Sequence, residues 1–238
     1  MKIILKFEIQ NNTITKNYRS FLLSYFKLTL SEHCHELYKK YYSEKYNVKN
    51  FCFSTYMKNA VFGKDEISFK NDFSVTLSVD DTSLEGIDWY NAFLKMKNKA
   101  FRLPSQNEMV LKNVRIESHR QIKDSTVIVK MLSPLAVRSV NNGKSYYYSC
   151  DEEQFIPKLK DNIVTMLETF TGVEKEKIPM QIDAIKTKKT VTYAFGSNIT
   201  ANLGIYKISS DPIFLNYLYQ LGIGSRRSEG FGMFEIVG

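Results

Sequence analysis

The order of strand-like and helix-like segments is the feature that most constrains how this chain can fold. Residues 2–9 are rich in β-forming side chains and alternate polar and apolar positions in their second half, which predicts an opening strand. Residues 18–30 instead place apolar side chains at helical spacing. The rest of the first half predicts a second helical stretch over 31–46 with Ser31 as its N-cap, strands over 51–56, 67–69 and 73–79, a helix over 84–101 and a strand over 108–117.

The same order begins again in the second half of the chain. There the patterns predict a strand over 126–131, a helix over 152–169, strand candidates over 181–186, 190–195 and 202–208, a helix over 211–221 and a strand over 231–237. Strand, helix, strand, strand, helix, strand is the split β-α-β arrangement of a ferredoxin-like domain. We therefore predict an α+β protein with two tandem ferredoxin-like (RRM-like) domains, over 1–120 and 121–238. They are joined in a polar segment whose His119 we interpret as structural or solvated.

Composition excludes several classes of protein. Hydrophobic residues make up 43% of the 238 residues, enough for a folded core, which excludes intrinsic disorder. No run approaches the roughly 18 apolar residues of a membrane span, and the N-terminal run is too short and too charged for a signal peptide. We therefore expect a cytoplasmic protein without a membrane partner. Three cysteines without paired spacing argue against a disulfide framework and a cysteine-based zinc site. The net charge of +8, from 33 Lys and Arg against 25 Asp and Glu, favours a polyanionic partner.

A glycine-rich loop near the C-terminus is the most specific motif. Four glycines, at positions 222, 224, 230 and 232, surround Arg226 and Arg227 between the last predicted helix and the last predicted strand. Such glycines let the backbone approach a bulky anion while the arginines supply charge, so a phosphate is the expected guest. The spacing matches neither a P-loop nor a dinucleotide-binding fingerprint. The alternative interpretation is a flexible hairpin without a ligand.

This tail resembles the glycine-rich signature of the CRISPR-associated endoribonucleases that cut precursor CRISPR RNA within its repeats. That family belongs to the repeat-associated RNA-binding superfamily and has tandem ferredoxin-like domains. Residues 129–137 resemble the hydrophobic-Ser-Pro-hydrophobic segment that opens the family's second domain, and residues 49–54 resemble its Lys-x-Phe-x-Phe-Ser block in the second strand. The three motifs lie in the family's order, and with the element order they cover essentially the whole chain.

The resemblance implies a metal-independent reaction without a cofactor. In it the RNA 2′-hydroxyl attacks the adjacent phosphodiester and leaves a 2′,3′-cyclic phosphate and a 5′-hydroxyl. That chemistry needs a base, an acid, and donors or cations near the phosphate, and histidine suits both proton-transfer roles near pH 7. The family places a catalytic histidine in this region of the first domain. Here His33 and His35 flank Cys34, while Ser43 stands where many relatives carry histidine.

Helix geometry favours one of the two histidines. His35, Lys39 and Tyr42 lie at i, i+4 and i+7 on one helix face, whereas His33 is about 200° from His35 on a regular helix. We interpret His35 as the principal proton-transfer residue, Tyr42 as a donor or acceptor beside it, and His33 as the second acid or base. Lys39 and Lys49 would steady the charge of the phosphate. The alternative is that His35 and Tyr42 line a packing face while His33 is solvated. Two histidines without an acidic cluster make a poor metal site, so we predict no metal.

Basic stretches without acidic neighbours predict where the second domain contacts RNA. Residues 125–150 and 184–210 contain lysines and an arginine but no Asp or Glu. Together with the glycine-rich loop they supply the predicted RNA-binding residues, which are Lys130, Arg138, Lys144, Lys186, Lys188, Lys189, Gly224, Ser225, Arg226 and Arg227. The rings at positions 146–148 offer stacking surfaces for unpaired bases. The alternative interpretation of each single lysine is a solvated surface position.

The expected function is therefore an endoribonuclease whose partner is CRISPR repeat RNA. One alternative is a non-catalytic RNA-binding subunit of a CRISPR ribonucleoprotein complex, and a more distant one is a small basic enzyme acting on a phosphate metabolite. The sequence leaves open whether the chain forms a homodimer and whether it transfers the CRISPR RNA to an interference complex. It also leaves open the repeat sequence, whether the repeat forms a hairpin, and the position of the cut.

Overall fold

The computed structural model describes residues 1–43, 48–70, 72–80, 82–117 and 120–238. Within these ranges the chain divides into two compact units. Unit 1 comprises residues 1–119 with 193–197, and unit 2 comprises residues 120–192 with 198–238. His119 and the last residues of the helical stretch predicted over 31–46 lie outside the described residues. None of the described helices has the length and apolar character that crossing a membrane requires.

Unit 1 is built on an antiparallel sheet covered by helices. Its elements in chain order are β1 (Lys2–Ile9), β2 (Thr13–Thr15), α1 (Tyr18–His33), α2 (His35–Tyr42), β3 (Phe51–Met57), β4 (Val61–Phe62), β5 (Glu66–Ser68), β6 (Asp72–Val79), α3 (Glu85–Met96), β7 (Ala100–Leu103) and β8 (Asn107–Glu117). The main sheet has the order β3-β6-β1-β8-β7, and β2, β5 and β4 form a smaller sheet. The order β3-β6-β1-β8 with antiparallel neighbours is the ferredoxin-like arrangement.

The core of unit 1 is aromatic and lies between the helices and one face of the sheet. Strand β1 alternates buried and exposed residues in its second half, as a strand with one covered face does. Phe26 of α1 packs edge-on against Phe53 and Trp89, with ring centroids 5.3 and 5.8 Å apart, and Trp89 stacks on Phe93 at 5.2 Å. Each such pair contributes about 1 kcal/mol beyond the buried area. These contacts fix α1 and α3 on the sheet.

The helices of unit 1 differ from the predicted ones at two points. Helix α1 continues through Ser31, whose hydroxyl donates to the Leu28 carbonyl at 2.9 Å, so the predicted N-cap role is wrong. The break comes instead at Cys34, which adopts φ −151° and ψ 77°. Its N–H donates to the Leu30 carbonyl, and its own carbonyl accepts the Tyr38 N–H at 3.0 Å, so Cys34 ends α1 and begins α2.

The second difference is the end of α3. The helix predicted over 84–101 ends at Met96, because Asn98 takes a left-handed φ of 63° and donates its N–H to the Leu111 carbonyl at 2.9 Å. This turn sends Ala100–Leu103 back along β8 as an antiparallel strand. The tertiary pairing with β8 therefore overrides the helical pattern of the last predicted turn.

Unit 2 repeats the arrangement. Its elements are β9 (Thr126–Met131), β10 (Arg138–Asn141), β11 (Lys144–Tyr147), α4 (Phe155–Thr171), a short 3₁₀ turn (Lys175–Lys177), β12 (Gln181–Ala194), β13 (Ser197–Ser209), α5 (Pro212–Leu221), a second 3₁₀ turn (Arg227–Glu229) and β14 (Phe234–Ile236). The sheet order β12-β13-β9-β14 is again ferredoxin-like. Buried residues of α4 and α5 join those of the sheet in one core cluster. The predicted fold class, α+β with tandem ferredoxin-like folds, is confirmed.

Unit 2 also contains pairings that the sequence patterns do not indicate. The two strand candidates over 181–186 and 190–195 are one strand, β12, which pairs with β13 along a hairpin turning at Phe195 and Gly196. Both turn residues have positive φ, as the favoured two-residue hairpin turns require. A second hairpin joins β10 to β11, where no strand is predicted.

Candidate functional site

Helix α2 presents one buried face and one polar face. Leu37 and Tyr41 are buried in the core, and the Tyr41 hydroxyl donates to the carboxylate of Glu85, which is also buried. The opposite face carries the predicted His35 and Lys39, both exposed. The structure therefore places these two side chains at the surface of unit 1, where a bound molecule can reach them.

Two lysines lie close to the Tyr42 ring. The Lys49 ammonium nitrogen is 3.9 Å from the centre of the Tyr42 ring, and the Lys27 ammonium nitrogen is 5.6 Å from it. Such cation–π contacts stabilise positive charge beside the ring. The Tyr42 hydroxyl is buried and has no hydrogen-bond partner in the part of the chain that the structure describes. Burial raises the pKa of Tyr42, so the hydroxyl stays protonated near neutral pH and can donate a hydrogen bond.

Aromatic contacts connect His35 to Tyr42. The His35 ring is parallel to the Tyr38 ring, with centroids 6.0 Å apart, and the Tyr38 and Tyr42 rings are 5.6 Å apart. We call His35, Tyr38, Tyr42, Lys27 and Lys49 the α2 cluster. The cluster joins a proton-transfer group, a hydroxyl donor and two cations, which are the groups that phosphodiester cleavage needs.

His33 does not share these contacts. It ends α1, and its Nε2 lies 3.3 Å from the Lys99 ammonium nitrogen and 3.4 Å from a carboxylate oxygen of Glu32. Partial burial and the charge of Lys99 lower the pKa of His33, and Glu32 offsets part of this effect. The two histidines that the sequence suggests as partners therefore have different neighbours. Among the described residues, no three His, Cys, Asp or Glu side chains are grouped as metal ligands would be.

The glycines of the glycine-rich loop (residues 222–232) allow close packing within the chain. A Cβ on Gly232, where φ is +73°, would lie 1.9 Å from the Ile223 carbonyl oxygen, and one on Gly224 would lie 2.6 Å from the Ala136 carbonyl oxygen. At these two positions the space left by the missing side chain is occupied by the chain's own backbone rather than left open for an anion.

The loop and the residue that follows it are hydrogen-bonded to the Ser-Pro segment of residues 129–137, which resembles the same family. The Ser133 hydroxyl accepts the Met233 N–H at 2.9 Å, and the Pro134 carbonyl accepts the Gly232 N–H at 2.9 Å. Ser225 continues this contact through its N–H, which donates to the Ala136 carbonyl at 2.8 Å. Two motifs that lie about 90 residues apart in the sequence thus form a single structural element in unit 2.

The two arginines of the loop have different environments. The Arg226 guanidinium donates to the Tyr147 hydroxyl and pairs with Glu229, and part of its side chain reaches solvent. Arg227 is only 8% exposed, and its guanidinium donates to the Leu221 carbonyl at 2.9 Å. Arg227 therefore closes the end of α5, and Arg226 is the arginine that faces the surface.

Two of the other predicted RNA-binding residues lie on the β10–β11 hairpin, whose Tyr147 contacts Arg226. Arg138 is directly opposite Tyr147 across the β10–β11 hairpin, whereas Lys144 and the half-exposed Tyr146 precede Tyr147 on β11 and point to the other face of the hairpin. We call Arg138, Lys144, Tyr146, Tyr147 and Arg226 the hairpin patch. Its two faces together carry three cations and rings that can stack on bases, which is the composition of single-strand RNA sites.

The remaining predicted lysines are exposed on strands of unit 2. Lys186, Lys188 and Lys189 follow each other on β12, so the first two point to one face of the sheet and Lys189 to the other. The pKa of Glu152 is lowered first by the Ser149 N–H, then by the Tyr146 hydroxyl, and to a smaller extent by the charge of Lys189. The charge of Lys189 therefore lies near the hairpin patch. Lys130 on β9 pairs with Glu235 at 3.2 Å.

The sequence of unit 2 matches a known protein family. The family model for the C-terminal part of CRISPR associated protein Cas6 matches residues 116–236, slightly more than half of the chain. This chain belongs to the Cas6 family. The match includes both the Ser-Pro segment and the glycine-rich loop, so the resemblance predicted from those motifs is confirmed. Among curated proteins, none matches the sequence significantly.

Solved structures share the fold over almost the whole Cas6-family chain. A RAMP protein described as binding different RNA substrates has a TM-score of 0.84 at 18% identity, with all of both chains covered. The product of a Cas6-related gene from Pyrococcus furiosus has a TM-score of 0.84 at 20% identity, covering 100% of this chain and 98% of that one. A structure of CRISPR associated protein Cas6 has a TM-score of 0.77 at 20% identity, covering 100% and 99%. At these identities the similarity establishes the fold.

Two members of the α2 cluster are absent from the residues predicted from sequence. Tyr38 has a signal that periodicity could have detected, because it stands three residues after His35 and four before Tyr42. Lys27 has no such signal, since it comes from α1 and reaches Tyr42 only through helix packing.

Proposed function

We propose that this Cas6-family protein binds CRISPR repeat RNA and cleaves precursor CRISPR RNA by metal-independent transesterification. The observation that carries the proposal is the α2 cluster, in which two ammonium groups contact the ring of a protonated tyrosine whose hydroxyl has no described partner, and Tyr38 links that ring to a surface histidine. Family membership and the RNA-binding description of a structural neighbour support the choice of RNA as substrate.

The proposed reaction breaks one bond and forms another at the same phosphorus. The ribose 2′-oxygen attacks, its proton passes to a base, the P–O5′ bond breaks, and an acid protonates the departing 5′-oxygen. We assign proton transfer to His35 and hydrogen-bond donation to Tyr42. Three lysines stabilise the negative charge that develops on the phosphate oxygens. They are Lys27, Lys49 and Lys39, the last of which lies on α2 with His35.

The hairpin patch supplies the proposed RNA-binding surface of unit 2. Arg138, Lys144 and Arg226 would contact phosphates, and Tyr146 would stack on an unpaired base. Lys186, Lys188 and Lys189 extend the positive charge along β12. Binding through several phosphates releases counterions, so the affinity falls steeply as the salt concentration rises.

A cleavage assay with labelled synthetic repeat RNA tests the proposal. The wild-type protein is expected to cut in the presence of EDTA and to leave a 2′,3′-cyclic phosphate, which mass spectrometry identifies. His35→Ala should slow cleavage at least about 100-fold, the usual contribution of a general acid or base, while repeat affinity changes less than about twofold. Unchanged cleavage in His35→Ala would remove His35 from the chemistry.

His33→Ala provides a matched comparison two residues away. An equal loss of cleavage would give His33 the second proton-transfer role that the sequence predicts. Retained cleavage would assign His33 to its contact with Lys99 alone. Tyr42→Phe removes only the hydroxyl and keeps the ring contacts with both lysines. A lower cleavage rate in this variant would therefore be due to the loss of the hydroxyl donor.

A non-catalytic RNA-binding subunit is the second candidate function. One observation favours it: the ring partner of His35 is Tyr38, and Tyr38 separates it from Tyr42 and its lysines. This alternative predicts tight repeat binding without product ends of either kind. The same incubation of protein with labelled repeat RNA therefore distinguishes the two functions.

A further inference from the structure

The carboxylate of Glu85 joins the start of α3 to the last turn of α2. Glu85 is the first residue of α3 and is only 6% exposed. Its two carboxylate oxygens accept from neighbouring residues of α2, one from the Tyr41 hydroxyl and the other from the Lys40 ammonium group. These two residues come directly before Tyr42, the last residue of α2. One buried group therefore bonds the part of α2 that carries a member of the α2 cluster.

The Tyr41 side chain is fixed on both its ring and its hydroxyl. Its ring packs against Phe51 and Trp89, with ring centroids 5.6 and 6.3 Å from its own. Burial and, next, the negative charge of Glu85 raise the pKa of Tyr41, so its hydroxyl stays protonated and donates. A buried carboxylate is costly unless it is paired and hydrogen-bonded, and Lys40 and Tyr41 supply the charge and the hydrogen bond. The contact therefore holds the two helices in one relative position.

Helix α2 depends on tertiary contacts for its position. It has eight residues, and an isolated helix shorter than about 12 residues is marginal in water. It begins after the backbone break at Cys34, where φ is −151° and ψ is 77°, so it is not a straight continuation of α1. Two of its residues, Leu37 and Tyr41, are buried. The orientation of its polar face is therefore set by these two side chains and by the bonds to Glu85.

We infer that Glu85 is a positioning residue for the cleavage reaction, because it holds the last turn of α2 so that Tyr42 keeps its place relative to His35. The inference rests on the proposed function, and it adds a residue of α3 to the groups on which the reaction depends. Neither Tyr41 nor Lys40 belongs to the α2 cluster, so Glu85 acts on the reaction through the position of the helix.

Single-turnover cleavage of labelled repeat RNA, with the protein in excess, separates the rate of the chemical step from the affinity. Displacing a reacting group by about 1 Å can slow a reaction about 100-fold. Glu85→Ala should lower the maximal rate by only about tenfold, because Leu37 and the Tyr41 ring still pack, and should change the repeat affinity less than about twofold. Glu85→Gln keeps an oxygen that can accept from Tyr41 and should recover most of the rate.

Asn107→Ala is the matched control for a loss of stability in unit 1. Asn107 is also a buried polar residue, 5% exposed, and its amide bonds the Asn11 N–H at 2.9 Å and the Thr13 carbonyl at 2.8 Å, away from α2. We expect both alanine variants to unfold at lower urea concentrations than the wild type. Asn107→Ala should nevertheless cleave at the wild-type rate at a temperature where circular dichroism shows both variants folded. An equal loss of rate in Glu85→Ala and Asn107→Ala would overturn the positioning role.

Tyr41→Phe is a milder variant that does not depend on how Glu85→Ala folds. It removes only the hydroxyl that donates to Glu85 and should slow cleavage about threefold, while Tyr41→Phe/Glu85→Ala should be no slower than Glu85→Ala, since both changes break one contact. A loss of about thirtyfold in the double variant, the product of two independent effects, would overturn the contact as the cause. Wild-type cleavage that persists unchanged in Tyr41→Phe would overturn the inference and leave the proposed function standing. Wild-type protein that binds repeat RNA without cutting it would overturn both.

Discussion

Replacing Gly232 by alanine tests whether the glycine-rich loop serves close packing of the chain on itself. Gly232 has φ +73°, and a Cβ there would lie 1.9 Å from the Ile223 carbonyl oxygen. Gly172, at the end of α4, has a similar φ of +70° but open space where its Cβ would be. Gly172→Ala is therefore a matched control that retains the backbone cost and omits the collision.

The expected magnitude follows from these two positions. A left-handed φ costs a non-glycine residue about 1 kcal/mol, which applies to both variants. Relieving the collision at Gly232 also separates Ile223 N–H from the Gly232 carbonyl and Gly232 N–H from the Pro134 carbonyl, each now 2.9 Å apart. At about 1 kcal/mol for each net hydrogen bond, we expect Gly232→Ala to lose about 3 kcal/mol of the free energy of unfolding and Gly172→Ala about 1 kcal/mol.

Urea unfolding followed by far-ultraviolet circular dichroism measures both losses. Amide hydrogen exchange of β9 and β14 shows whether the difference arises beside the loop, since both strands adjoin the Ser-Pro segment. Equal midpoints for Gly232→Ala and Gly172→Ala would refute the packing argument and return the loop to a ligand-binding interpretation. A larger loss at Gly232 with faster exchange in β14 would support it.

The remaining predictions concern a buried amide and a histidine. Asn202→Ala should destabilise unit 2 by about 3 kcal/mol in urea unfolding, because the Asn202 amide bonds Cys150 N–H at 2.7 Å and the Tyr148 carbonyl at 3.0 Å and both would lose their partner. His33 should titrate below the usual histidine value of about 6.5 in an NMR titration, and Lys99→Ala should raise its pKa by removing a nearby positive charge.

A control substitution tests the Asn202 prediction, and the titration of His33 in Lys99→Ala tests the second. Asn198→Ala changes an exposed asparagine on the same strand and should be nearly neutral, so similar losses at 198 and 202 would contradict the first. For His33 the unfolded chain binds the proton more readily than the folded one, so its contribution to stability is present above about pH 6.5 and is lost as the pH falls below that value through the lower pKa of the folded state. An unchanged His33 titration in Lys99→Ala would contradict the second.

Strands with one covered face are the elements that the sequence predicts best. The strands over 2–9 and 126–131 have the predicted ends, since period-two alternation is a local property. The helix break at Cys34 has no glycine or proline to mark it. The predicted gap between the strand candidates over 181–186 and 190–195 contains two lysines, yet pairing with β13 makes the whole segment one strand.

The candidate site divides in the same way. Helical spacing predicts that His35, Lys39 and Tyr42 share a face, and His35 and Lys39 are both exposed on α2. The cation–π contacts of Tyr42 depend on tertiary packing. Lys27 reaches the ring because α1 packs on α2, and Lys49 reaches it because the segment after α2 passes close to the ring. Lys27 and Lys49 lie 15 and 7 positions from Tyr42 in the sequence and outside α2, so the periodicity of that helix does not describe either contact.

The sequence by itself determined the order of the main ferredoxin-like strands and helices, the fold class and the family motifs, because these depend on spacing along the chain. The tertiary structure decided what the motifs do. It packs Gly224 and Gly232 against the chain's own backbone, buries Arg227 while leaving Arg226 at the surface, and separates His33 from the α2 cluster. The physical reason is that burial, charge and hydrogen bonding depend on which distant residues approach within a few ångströms, and the packing of the sheets and helices sets those approaches.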